Sequence, residues 1–257
     1  MAEKLSEKDI ENINIEGTEE YAVMPLRNTV LFPQQVIPIY IGREKSLKLI
    51  SDIELKKRKY IIVVAQEDGS IEDPSTEDLY SYGTIATVLK VFAMPDNSKS
   101  AIVQGIARVK ILDYLSKEPY FKAAASKVSD DPIADSLELD GIVDNLRTSF
   151  ADLIKVAPNL TEEHTGMLSN IKKPNRLVDR AVSLMTLPNQ EKQEILEEVN
   201  IKSRIDKAIS IISREIQRIK LGEEIQTEVH DEIAKTQREY YLREQMKAIQ
   251  KELGEDE

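Results

Sequence analysis

The sequence predicts an α+β fold in which a β-rich first half gives way to helices. Three observations carry this. Short apolar runs separated by turn residues fill the stretch from about Tyr21 to Val128, the periodicity becomes helical past residue 132, and Ser203 to Leu253 contains no proline and only Gly222. With 257 residues there is chain enough for one large or two small domains, and no metal or disulfide is needed to support the core.

Taken in order, residues 1–20 are acidic and weakly patterned and read as a flexible arm. The run VIPIYI (36–41) is strand-like, but Pro38 cannot donate to a ladder and so marks an edge or a bulge. Leu47, Ile50 and Ile53 recur at helical spacing between Arg43 and Arg58, which places one helix inside the β region. YIIVVA (60–65) has no polar member and predicts a strand buried on both faces. TIATVLKVF (84–92) and AIVQGIARVKIL (101–112) flank MPDNSKS, whose Pro95, Asp96 and Asn97 form turns, so the pair predicts a hairpin.

Past SKVSDDP (126–132), Leu139, Val143, Leu146, Phe150 and Leu153 share one helical face, and a domain boundary is expected there. Pro158, Pro174 and Pro188 cut the next stretch into short helices, with Thr161 and Asn189 as caps. The final segment then predicts one helix of roughly 75 Å, at 1.5 Å per residue. The expected division is an arm (1–20), a β-rich domain (21–128), a helical bundle (129–202) and a long helix (203–257).

Composition limits the function. A net charge of −11 repels phosphate backbones and anionic lipids, so nucleic acid is an unfavourable partner for this region. The absence of cysteine removes thiol catalysis, thiolate zinc sites and disulfides, and fits a reducing compartment; a cytoplasmic location is expected. No window approaches the ~18 uninterrupted apolar residues of a membrane span.

The nine glycines are too dispersed for a phosphate-cradling loop, and G-x-x-x-x-G-K-[ST] does not occur. The two histidines, His164 and His230, sit alone in helical surroundings and read as ordinary surface or packing residues. No catalytic residue, cofactor-binding residue or metal ligand is nominated.

Two features stand out from this background. In 21–46, Leu31, Phe32, Pro33 and Val36 lie between strands. Such loop residues either fold back onto a core or form an exposed apolar patch that captures unfolded chains; with Met94 they are the candidate client contacts. In the last helix, Ile205, Ile209, Ile212, Ile216 and Ile219 follow a 4-3-4-3 seam, and Leu242, Met246, Ile249 and Leu253 resume it. The first part has helices of this chain to pack on, whereas the second is a candidate self-association seam.

PLRNTVLFPQQVIPIYIGREKS (25–46), AQEDGSIEDPSTEDLYSYGTIATVLKVFAMPDN (65–97) and TQREYYLREQMKAIQKELGEDE (236–257) resemble the amino-terminal signatures of the Lon protease family, and the likeness covers nearly everything after residue 20. The resemblance implies a six-stranded, PUA-like β domain with one helix, a helical bundle, and a long coiled-coil-like helix leading to an AAA+ ATPase and a Ser-Lys peptidase. It also implies ATP and Mg as cofactors of the whole protein, a homohexamer, and unfolded, damaged or regulatory proteins as clients. Neither the Walker motif nor the catalytic serine segment is present, so this sequence reads as a non-catalytic fragment with no cofactor of its own. Two other readings stay open. PUA-like folds often bind RNA, although Arg43, Lys56, Lys57, Arg58 and Lys59 are a scattered basic set, and a coiled-coil adaptor would show the seam without the patch.

Overall fold

The computed structural model describes residues 19–56, 60–132 and 137–253. The arm expected over 1–20 falls outside them except for Glu19 and Glu20, as do Lys57, Arg58 and Lys59. Among the described residues six strands form one mixed sheet in the order β2-β5-β4-β3-β1-β6. They are β1 (Glu20–Leu26), β2 (Val36–Ile41), β3 (Tyr60–Ala65), β4 (Tyr82–Ala93), β5 (Lys99–Ser116) and β6 (Lys122–Lys127), with helix α1 (Glu44–Lys56) between β2 and β3.

The all-apolar run 60–65 is the central strand β3, parallel to β1 and antiparallel to β4. Its side chains alternate between two cores, Ile61 and Val63 facing α1 while Ile62 and Val64 face the opposite layer, which is why no polar residue is tolerated in it. Pro38 sits on β2, the strand that ends the sheet order, where a missing donor costs least. The hairpin forms around Asn97 at a φ of 62°, and Ser98 donates both its amide and its hydroxyl to Asp96 Oδ1.

β5 is longer than its sequence run. Its 18 residues pair with β2 in the first half and with β6 in the second, while β4 runs along the other edge. Because β6 bonds to both β5 and β1, the sheet closes on itself. The β6 segment KAAASK carries no apolar run, and sequence patterning passed over it.

The helices are α2 (Leu137–Val156), α3 (Glu162–Ser169), α4 (Pro174–Leu184), α5 (Asn189–Glu197) and α6 (Ile201–Leu253), and the breaks that precede α3, α4 and α5 fall at or beside Pro158, Pro174 and Pro188. Thr161 begins α3, and its amide donates to His164 Nδ1 at 3.0 Å, so this imidazole serves as a helix cap. Asn189 is not a cap: Pro188 takes that position, and the Asn189 side chain instead donates to the Arg27 carbonyl at 3.1 Å, bridging bundle to barrel. α6 has 53 residues; Asn200 Oδ1 accepts from the Ser203 amide, and Ile205, Ala208 and Ile212 are fully buried in the bundle.

Barrel and bundle share a core, since Val30, Phe32 and Ala65 of the β region pack with residues of α2, α4, α5 and α6. A buried ion network crosses the same junction. Arg108 of β5 bonds Asp179 of α4 at 2.6 Å and the Leu196 carbonyl at 2.8 Å. Arg204 of α6, with 0% of its surface exposed, bonds Asp130, lies 3.5 Å from Asp179 and donates to the Glu198 carbonyl at 2.6 Å. Two guanidiniums and two carboxylates thereby satisfy one another, with Arg108, Asp179 and Arg204 buried and Asp130 at the partly exposed rim, a geometry that fixes orientation more surely than it adds stability.

Candidate functional site

The loop between β1 and β2 is clamped onto β5. Gln34 donates its amide to the Gly105 carbonyl and Gly105 donates to the Gln35 carbonyl, both at 2.9 Å, while the Thr84 hydroxyl donates to the Leu31 carbonyl at 2.5 Å. A Cβ at Gly105 would stand 2.3 Å from the Phe32 carbonyl oxygen, so only glycine allows this approach. The clamp drives Leu31 into the barrel core and Phe32 into the bundle core, leaving them 2% and 1% exposed.

This corrects the exposed-patch reading for both residues. An apolar side chain that reaches a core gains more from burial than from waiting in solvent, and here each has a core within reach. Pro33 is half-buried, and Val36 and Met94 are each 42% exposed.

The apolar surface that does exist lies alongside. On β2, Val36, Pro38 and Tyr40 alternate with the partly buried Ile37 and the buried Ile39 and Ile41 and point outward, Tyr40 being 67% exposed. The register aligns Tyr40 with Ser100 and Phe92, and Pro38 with Ile102 and Lys90, in two rows across β2, β5 and β4. Lys90 Nζ lies 4.7 Å from the Phe92 ring centre, and the Tyr40 hydroxyl donates to Asp96 at 3.1 Å. Sequence reasoning missed Tyr40, although period-two reading of the strand already predicted there contains the signal.

At the Val36 end this face opens into a cleft of about 680 Å³ between the clamped loop and helices α3 and α4. Its apolar lining is Phe32, Pro33, Val36, Met167 and Ile171, and its charged lining includes Lys172, Lys173, Arg176 and Arg180. The α3–α4 wall is positioned by Arg147 of α2, which donates to the Leu168 and Ile171 carbonyls at 2.8 and 2.7 Å. Gln34 holds a φ of 63°, and its side-chain oxygen, with the amide oriented to satisfy the donors, accepts from Arg176 Nε and Nη2 at 2.8 Å.

The second candidate surface lies on α6. From Leu221 onward every described side chain is exposed, including Leu242, Met246 and Ile249; the side chain of Leu253 falls outside the described residues. Among the described residues no group of three or more His, Cys, Asp or Glu is placed to hold a metal, and no helix is long and apolar enough to cross a membrane.

Comparison with known proteins bears on the family and the fold. Residues 20–214 match the family described as the ATP-dependent protease La (LON) substrate-binding domain. The chain is 39% identical over 237 residues to a Lon protease of Dictyoglomus thermophilum, covering 92% of this chain and 30% of that protein. It is 40% identical over 236 residues to a Lon protease of Koribacter versatilis, covering 91% and 29%. This chain thus spans less than a third of the length of these relatives. Among solved structures, the N-terminal domain of a Mycobacterium avium complex Lon protease superposes with a TM-score of 0.61 at 19% identity, covering 76% of this chain and 98% of that one. A Lon N-terminal domain protein from Xanthomonas campestris gives 0.53 at 14% identity, covering 75% and 98%. At such identities the likeness speaks for the fold.

Proposed function

The chain belongs to the Lon protease family, spanning its substrate-binding domain, and on that premise we propose that it gathers polypeptide clients and spaces them from an ATP-driven motor in the whole protein. The whole protein is then an ATP-dependent serine endopeptidase of the cytoplasm, working as a homohexamer with ATP and Mg, that degrades misfolded and short-lived regulatory proteins. The present chain is non-catalytic in this reading. The observation that carries the recruiting role is the set of exposed apolar residues Val36, Pro38, Tyr40, Phe92 and Met94 on β2 and the β4–β5 hairpin, in a domain whose family is described by substrate binding.

The test is chemical-shift mapping with a denatured client. Shifts are expected along β2 and the β4–β5 hairpin, and Tyr40→Ser with Met94→Ser is expected to weaken binding about 10-fold, since two such anchors carry more than 1.4 kcal/mol between them. Shifts confined to the helices, or an affinity unchanged in the double variant, sink the assignment.

The exposed seam of α6 supports the spacing role. Burying Leu242, Met246, Ile249 and Leu253 contributes roughly 6–12 kcal/mol at 1.5–3 kcal/mol per side chain, against association costs of about 4–15 kcal/mol. One isolated helix is therefore a marginal partner, and several copies held together by a motor associate firmly through raised effective concentration. Sedimentation is expected to show a monomer or a weak oligomer that Met246→Asp with Ile249→Asp dissociates. A tight hexamer at nanomolar concentration, or association indifferent to that pair, rejects the seam as the contact.

A further inference from the structure

We infer that the cleft beside the clamped loop selects client segments in which apolar residues are flanked by acidic ones. This deepens the recruiting reading and rests on it. The cleft brings Lys172, Lys173, Arg176 and Arg180 together in a chain whose net charge is −11. Asp179 is the acid in its lining, and its Oδ1 is already engaged by Arg108 and Arg204. Among the described residues Lys172 and Arg180 have no acidic partner, so their charge is directed at whatever enters.

The first turn of α4, which begins at Pro174 beside Lys172 and Lys173, adds the positive end of an 11-residue helix. The wall is held in advance by the Gln34 to Arg176 contact, made possible by a left-handed backbone that a glutamine adopts at a cost. Between the cations, Pro33, Val36, Met167 and Ile171 offer an apolar floor continuous with the outer face of β2.

That combination fits a polypeptide better than a nucleic acid. Single-stranded nucleic acid needs exposed rings on which bases stack; the aromatic residue lining the cleft, Phe32, is buried in the core, and the exposed rings of Tyr40 and Phe92 lie outside the cleft lining, on the adjoining face. The overall negative charge also repels a phosphate backbone at longer range. An extended chain with one or two apolar side chains and neighbouring carboxylates satisfies both the floor and the rim.

The experiment measures fluorescence anisotropy of short labelled peptides sharing a Leu-Phe-Leu centre and flanked by Glu, Ser or Lys, with the complete 257-residue chain. The Glu-flanked peptide is expected to bind about 10-fold more tightly than the Lys-flanked one at low salt, through several exposed charge contacts, with the preference fading at high salt. Lys172→Glu with Arg180→Glu is expected to abolish that preference at an unchanged unfolding midpoint, and Lys172→Glu alone, at an exposed position, to reduce it. Tyr40→Ser with Met94→Ser is expected to weaken all of the peptides alike.

Equal affinities, or a preference that survives the charge reversals, overturn the selectivity while leaving recruitment intact. Failure of every peptide to bind sinks the recruiting reading together with this one. A short RNA that binds more tightly than the Glu-flanked peptide, and is lost on charge reversal, assigns the cleft to nucleic acid instead.

Discussion

Arg204→Met is expected to destabilise the chain by about 3–5 kcal/mol, because it strands buried carboxylates that the guanidinium now pairs. Arg204 has no exposed surface and bonds Asp130, Asp179 and the Glu198 carbonyl. Once it is gone, Arg108 is the guanidinium left to both acids, at 2.6 Å from Asp179 and 3.9 Å from Asp130, and the Asn175 amide at 2.8 Å is the other partner Asp130 keeps. Urea unfolding followed by circular dichroism reads the loss, which corresponds to a drop of the thermal midpoint on the order of 10 °C. Replacing the network as a whole by Arg108→Met, Arg204→Met, Asp130→Leu and Asp179→Leu is expected to recover most of it, since apolar side chains of similar volume leave no charge unpaired. A single-variant loss below about 1 kcal/mol would mean that water solvates Asp179 as well as the partly exposed Asp130.

The network also sets an acid limit. Burial pushes the Asp130 carboxyl up, but Arg108 and Arg204 outweigh it and hold its pKa below the ordinary carboxylate value. A depressed carboxylate contributes stability that is present above its unfolded pKa of about 3.9 and is lost as pH falls through the lower folded value. Stability attributable to Asp130 is therefore expected to be flat from neutrality to about pH 5 and to fall only below about pH 4.

Phe32→Ala is the second large effect, about 3–5 kcal/mol for emptying a site that is 1% exposed between barrel and bundle. Such a variant would also lose client binding, but through unfolding and not through a lost contact. The distinction is measurable. Phe32→Ala is expected to lower the urea midpoint and Tyr40→Ser to leave it unchanged. A Phe32 variant that stays fully stable and yet binds clients poorly would place this ring on the surface and overturn its burial. Gly105→Ala is expected to mimic it, since its new methyl group meets the Phe32 carbonyl.

Much of the architecture was legible in the sequence because the relevant physics is local. An apolar run with no polar member must be buried on both faces, and 60–65 is the central strand. Pro38 cannot donate, and its strand ends the sheet order. Turn chemistry at Asp96 and Asn97 placed the hairpin, prolines 158, 174 and 188 placed the helix breaks, and the 4-3-4-3 isoleucine spacing marked the part of α6 that packs on the bundle.

What the sequence left undecided depends on partners distant along the chain. β6 is a strand because two other strands offer it ladders, not because Lys122 to Lys127 prefer extension. Phe32 and Tyr40 are both apolar residues near one turn, yet a glycine at position 105 draws the first inward while the pleat turns the second out. Arg108, Asp130, Asp179 and Arg204 carry no shared motif, and neither do the cations of the cleft. Periodicity determined which segments form helices and strands, whereas long-range electrostatic pairing and packing decided which apolar side chains stay on the surface and where positive charge gathers, because both are set by neighbours brought together only when the chain closes.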